Sequence, residues 1–276
     1  MRSPGLAVLK KIKIRTHRKM NTVFAGEYRT AFKGLGLSFE SVREYQYGDD
    51  ARSIDWNVSA RMNHLFVKQY TEERELSVVL MVDMSASVEF GSEKSKRDLI
   101  METAALFLYL AQLNKDRISV ILFTDRVETF IRPRKGERFV LSILDSMTRL
   151  TPRGRGTDIG GAIDFLMRVM KKRSVVFLIS DFLDEGYELK LKRLKQKHDF
   201  IPVIVSDPME HELDLFGLAE FVDLETGETF LSDAIPESSE LARLREMDSI
   251  QISTAEPIEN GVLRYFEKRN RALRRL

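Results

Sequence analysis

Five consecutive apolar residues, Val78 to Val82, rich in β-branched types, predict a strand buried on both faces. The run stops at a carboxylate, Asp83, and hydroxyls follow at alternate positions, Ser85 and Ser87. Beyond it strand and helix patterns alternate. Leu99, Ala104, Leu106, Phe107, Leu110 and Leu113 give residues 98–113 the wide apolar face of a long helix. Residues 117–123 predict the next buried strand, and 127–131 the other arm of a hairpin turning at Asp125 and Arg126. Residues 139–150 and 159–170 carry helical spacing, 175–179 a third strand, 187–197 a helix and 200–205 a fourth strand. Asp207-Pro208 then breaks the pattern. A hairpin over 220–231, a helix from Pro236 to Met247, an edge strand over 250–253 and a basic amphipathic helix over 261–276 complete it.

That β-α-β rhythm predicts an α/β fold, a doubly wound and mostly parallel sheet with helices on both faces. In such sheets, sites gather beyond the carboxyl ends of the strands. Three candidate ligand positions fall there: Asp83-x-Ser85-x-Ser87, Thr157 just before a helix, and Asp181 directly after a strand. Oxygen donors of these kinds suit a hard divalent cation.

The N-terminal part reads differently. The first 26 residues hold Arg2, Lys10, Lys11, Lys13, Arg15, Arg18 and Lys19 but no acid, and Leu6, Leu9, Ile12 and Ile14 suggest a short basic amphipathic helix. Residues 34–62 interleave Arg43, Arg52 and Arg61 with Asp49, Asp50 and Asp55, a pattern suited to bidentate ion pairs and helix caps in a structural clasp. Trp56, between Ile54 and Val58, is expected to wedge into apolar surface. The expected organisation is an N-terminal segment over 1–72, an α/β domain over 73–255 and a basic C-terminal helix over 256–276.

Composition narrows the chemistry. With 43% apolar and 31% charged residues the chain is of globular type, and a net charge of +2 argues neither for nor against a nucleic-acid partner. The absence of cysteine removes disulfides, thiolate metal sites and a cysteine nucleophile together. No apolar run approaches the roughly 18 residues of a spanning helix, and no signal peptide is visible. A cytoplasmic location follows as the expectation, with peripheral contact at the inner membrane through the basic termini.

Catalytic templates fail. Asp181-Phe-Leu-Asp184 resembles the acidic pair of haloacid-dehalogenase-like phosphatases, but the acid/base those enzymes need two residues after the nucleophile is here Ser85, which cannot shuttle a proton near neutral pH. There is no Gly-x-Ser-x-Gly elbow, no Walker loop, and His17, His64, His198 and His211 lie in no recognisable motif. Gly154-x-Gly156 lacks a third glycine, position 159 being isoleucine. No enzyme activity and no small-molecule substrate are expected, with a phosphohydrolase of that haloacid-dehalogenase-like type and a metal-free structural adaptor as the alternatives. Arg132, Arg134, Lys135 and Arg138 in one loop, and Arg149, Arg153 and Arg155 in another, are expected to rim the site and steer an acidic partner. No aromatic platform interleaves with them, so nucleic acid is not expected.

The Arg43–Tyr47–Gly48–Asp49 and Ile54–Asp55–Trp56 blocks, with Phe66-Val-Lys68-Gln-Tyr70 and the Asp83 motif, resemble domain of unknown function family 58. The likeness is clear from about Gly34 to Phe123 and looser to about Val205. Proteins of that family resemble von Willebrand factor type A domains preceded by a family-specific segment. The resemblance implies a metal-ion-dependent adhesion site, with Asp83, Ser85, Ser87, Thr157 and Asp181 as the matching positions. Mg2+ is the implied ion, with Mn2+ and Ca2+ as alternatives. It further implies a non-catalytic interaction module that binds an acidic side chain, with a MoxR-type AAA+ ATPase as candidate partner in complex assembly or maturation.

Overall fold

The computed structural model describes residues 21–32, 37–72, 75–86, 95–208, 219–222, 229–232 and 239–273. The chain divides into two units. One contains helix α1 (Asn21–Ala31) and the residues from Ser77 onward; the other spans Phe32–Leu76. The basic helix expected before residue 20 lies outside the described residues.

In the smaller unit, strands β1 (Leu37–Glu44) and β2 (Phe66–Glu72) pair antiparallel, with a bulge between Phe39 and Ser41. The segment between them is fastened by its acids. Arg43 donates both guanidinium nitrogens to Asp49, at 2.7 and 2.6 Å, and that fork holds the Asp49 carboxyl down at about 2. Asp50 caps a short 3-10 turn, and Asp55 accepts from the amides of Asn57 and Val58 at the start of helix α2 (Trp56–Met62). Of the three acids, Asp49 makes a bidentate pair with Arg43, and Asp50 and Asp55 act as caps. Trp56 does not wedge into apolar surface as expected: it opens α2 and is 66% exposed.

In the larger unit, strand β3 (Ser77–Asp83) is buried from Val78 onward and lies inside a six-stranded sheet. The chain leaves it through helix α3 (Lys96–Leu113) to strand β4 (Arg117–Phe123), then turns into the antiparallel edge strand β5 (Val127–Arg134). Helices α4 (Glu137–Arg149) and α5 (Ile159–Val169) lead back to strand β6 (Val175–Ser180), which pairs with the opposite side of β3. Helix α6 (Glu188–Lys197) and strand β7 (Asp199–Ser206) follow. After the short antiparallel pair β8 (Ala219–Val222) and β9 (Thr229–Ser232), helix α7 (Ser239–Glu246) precedes the parallel edge strand β10 (Ile250–Ser253), and helix α8 (Ile258–Leu273) closes the described chain. The sheet order is therefore β10-β7-β6-β3-β4-β5, a doubly wound α/β sheet parallel except at β5.

Period-two alternation sends Val79 and Met81 to one face, where Ile121, Val176, Leu178, α5, α6 and α7 form a continuous apolar cluster. The other face is covered by α3, which packs on β3, β4, β6 and β7 and against α1, α4 and α8. There Phe107 stacks on Phe177, ring centroids 4.3 Å apart. Helices α1 and α8 are folded into this layer. Tyr28 of α1 donates to Asp116 at 3.0 Å, and Arg269 of α8 donates to the Ala31 carbonyl at 3.0 Å while also pairing with Asp199. The division thus differs from the one expected at 72 and 255: residues 21–31 and 256–273 are parts of the α/β body.

Candidate metal centre

Strand order decides where a site can form. From β3 the chain first moves toward β4, later toward β6, so the crevice beyond the β3 and β6 tips is the topological switch point of the sheet. Asp83 ends β3 and Asp181 follows β6, and both are buried. Asp83 Oδ2 accepts from Ser180 Oγ at 2.6 Å and Oδ1 from the Ser85 amide at 2.9 Å. Burial, reinforced by the neighbouring charge of Asp181, pushes the Asp83 carboxyl up to about 7 against those hydrogen bonds. Asp181 Oδ1 accepts from the Leu183 amide at 3.3 Å, and Oδ2 takes the Lys96 ammonium at 2.8 Å.

Backbone conformation aims these groups. Phe182 is a non-glycine residue at φ 60°, a left-handed conformation that carries strain. Its amide donates to Ser180 Oγ at 3.0 Å while its ring is fully buried in the core. The turn ties Asp181 to the same hydroxyl that holds Asp83.

The loop bearing Thr157 reaches this tip from the other side. The Ala86 amide donates to the Arg155 carbonyl at 2.9 Å, and the Asp158 amide to the Thr124 carbonyl at 3.0 Å. Glu128, at the start of β5, clamps the loop: one oxygen accepts from Thr124 Oγ1 and from the amides of Arg153 and Gly154, at 2.9, 2.9 and 2.8 Å. Burial would raise the Glu128 carboxyl, but these donors hold it below its ordinary value. Gly154 is required by this packing, since a Cβ there would stand 2.1 Å from Asp125 Oδ1 and 2.3 Å from Thr124 Oγ1. Asp184, which gave the phosphatase-like spacing, accepts from the Ile159 amide at 2.8 Å and so anchors the start of α5.

Of the five sequence-derived ligands, Asp83, Ser85 and Asp181 are buried at the two strand tips, and Thr157 is half-buried in the loop tied to Ala86. Ser87 lies outside the described residues. Among the described residues no cluster of three or more histidine, cysteine, aspartate or glutamate side chains stands ready to hold a metal, so a metal here relies on hydroxyls beside two carboxylates. The donor types fit a hard divalent cation: two buried carboxylates, the buried Ser85 hydroxyl and the half-buried Thr157 hydroxyl supply oxygen, and one of the acids, Asp181, is paired with the Lys96 ammonium.

The expected basic rim is halved. β5 runs antiparallel, Val127 opposite Phe123 and Arg134 opposite Ile118. Arg132, Arg134, Lys135 and Arg138 therefore lie toward the far end of the sheet, Arg134 about 20 Å from the tip at the strand rise per residue. Arg153 and Arg155 remain, exposed on the Thr157 loop. Sequence reasoning missed Lys96 and Glu128. The only sequence signal for Lys96 was a lysine in the first turn of a helix, where acids are favoured.

Fold and site together define a doubly wound α/β protein with buried carboxylates and hydroxyls gathered at its switch point. The chain belongs to the family described as Protein of unknown function DUF58, whose profile matches residues 41–246. It is similar to the uncharacterized protein Rv1480 of Mycobacterium tuberculosis and to the uncharacterized protein Mb1516 of Mycobacterium bovis. Each is 32% identical over 225 residues, covering 80% of this chain and 71% of the relative. Among solved structures, an aerotolerance-related membrane protein from Bacteroides fragilis superposes with a TM-score of 0.51 at 15% identity, over 71% of this chain and 99% of that one, a likeness of fold alone. No helix among the described residues is long and apolar enough to cross a membrane.

Proposed function

We propose that this chain is a non-catalytic, metal-dependent protein-interaction module with a von Willebrand factor type A-like core. The observation that carries the reading is the meeting of Asp83 and Asp181 across the β3–β6 switch point, both buried, with buried Ser85 at the same tip. The hydroxyls of Ser85, Ser87 and Thr157 would hold the ion, Mg2+ first among the candidates. Asp83 and Asp181, whose oxygens already accept hydrogen bonds, would act through water. A bound divalent ion supplies a Lewis-acidic position for one carboxylate of a protein partner. Arg153 and Arg155 favour the approach of an acidic surface. The family resemblance makes a MoxR-type AAA+ ATPase the candidate partner, in complex assembly or maturation.

The test is calorimetric titration of metal-stripped protein with Mg2+ and Mn2+, with and without acetate as a carboxylate probe. Ser85→Ala and Thr157→Ala serve as controls. Saturable binding that both variants weaken supports the reading. Binding indifferent to both variants, or none even with acetate, removes it.

A further inference from the structure

Lys96 is the second position of a helix start, directly after the Ser95 cap, and its side chain is 1% exposed. Both circumstances oppose a cation. The first turn of a helix carries the positive end of its dipole, and a desolvated ammonium is strongly disfavoured unless paired. The fold nevertheless buries it with its Nζ 2.8 Å from Asp181 Oδ2, and the Asp181 charge in turn acts on Asp83. Local physics does not account for a lysine here; the buried Asp181 carboxylate does.

We propose, resting on the metal-site reading above, that Lys96 is a resident counter-cation that makes metal retention conditional on an anionic side chain from the partner. When both carboxylates are ionised, they and the one ammonium carry a single net negative charge. With a divalent ion the same group carries a single net positive charge in a buried place, and the partner's carboxylate cancels it. With a neutral residue at position 96, the ion and two carboxylates already balance, and nothing electrostatic calls for the partner. Lys96 thus weakens metal binding alone and couples it to carboxylate binding. By linkage the coupling is reciprocal, so the metal strengthens the carboxylate by the same factor. The buried ion pair becomes the element that distinguishes a searching module from an engaged one.

The experiment is Mg2+ titration of metal-stripped full chain, in acetate and in chloride at equal ionic strength, for the natural protein, Lys96→Met and Lys96→Arg. The natural protein should bind Mg2+ at least about fivefold tighter in acetate, the lower end of common coupling factors. Lys96→Met should bind Mg2+ at least about tenfold tighter in chloride and lose the acetate effect, whereas Lys96→Arg keeps the natural pattern. Saturable binding in the natural protein with no gain in Lys96→Met overturns the role of Lys96 and leaves the metal site standing. If Lys96→Met does not fold, the natural protein decides alone: Mg2+ binding indifferent to acetate overturns the proposal. Failure of all three proteins to bind Mg2+ overturns the metal site, and this proposal with it.

Discussion

Ser180 Oγ donates to Asp83 Oδ2 at 2.6 Å, joining the tips of two adjacent parallel strands whose residues are 97 positions apart in the chain. One hydroxyl thereby fixes the carboxylate on which the crevice is built, and it accepts the Phe182 amide as well.

Ser180→Ala leaves a buried carboxylate oxygen and a buried amide short of a partner. The expected loss is about 1–3 kcal/mol of stability, by the penalty for an unsatisfied buried polar group. It should be larger above pH 7, where Asp83 is charged, than in mild acid, where the acid is neutral. Urea denaturation of metal-stripped protein at the two pH values measures it, and equal losses would contradict this view of Asp83.

Glu128 is expected to matter through the loop rather than through chemistry. Glu128→Ala should speed hydrogen exchange at the Arg153 and Gly154 amides and destabilise the fold by about 1–3 kcal/mol. Unchanged protection at those two amides would remove the clamp from the account. Gly154→Ala should be comparably damaging, because its Cβ meets the buried Thr124 hydroxyl.

His198 sets an acid limit. Its Nδ1 accepts the Ser174 amide at 3.2 Å and its buried Nε2 finds no hydrogen-bond partner among the described residues. Burial, with Lys197 and Arg173 nearby, brings its pKa down to about 4 from an ordinary 6.5. A depressed histidine contributes stability that is complete above pH 6.5 and is lost as the pH falls toward 4. The gap corresponds to about 3 kcal/mol at most. His198→Asn, which keeps an acceptor near the Nδ1 position, should flatten the acid limb of a stability-versus-pH curve; an unchanged limb would place the titration elsewhere.

Tyr28→Phe tests whether α1 belongs to the α/β body. Burial and the adjacent Asp116 raise the Tyr28 hydroxyl well above its usual value, so it stays a donor at all working pH values. Removing it takes one hydrogen bond from a buried carboxylate and should lower stability by about 1–3 kcal/mol in thermal melts. A neutral result would mean that α1 contributes packing alone.

The pattern of side chains along the chain was enough for the core elements. The 117–123 strand lies where its mostly apolar run put it, as suits a strand covered on both faces, and the 250–253 edge strand lies where Ile250 and Ile252 alternate with the exposed Gln251. The two strand tips at Asp83 and Asp181 were legible for a related reason, since the polar residue that ends an apolar run marks where the strand leaves the core. Other elements were not legible. Helix α1 contains Thr22, Val23 and Gly26, which lower helix propensity, and its place comes from packing on α3 and α8. Strands β1 and β2 carry mixed polar sequence without clean alternation, so pairing between them was not visible.

The sequence by itself determined the alternation of strands and helices, the polar termini of the strands and the residue types available there. Those follow from local periodicity and composition. Only the tertiary structure decided which tips meet and which charges share the crevice. Strand order places β6 beside β3 and brings Asp181 to Asp83; an antiparallel β5 carries Arg132 and Arg134 away from the tip; helix α3 delivers Lys96 into it. Such encounters join residues separated by tens of positions. They depend on sheet order and strand direction, for which neighbouring residues carry no signal.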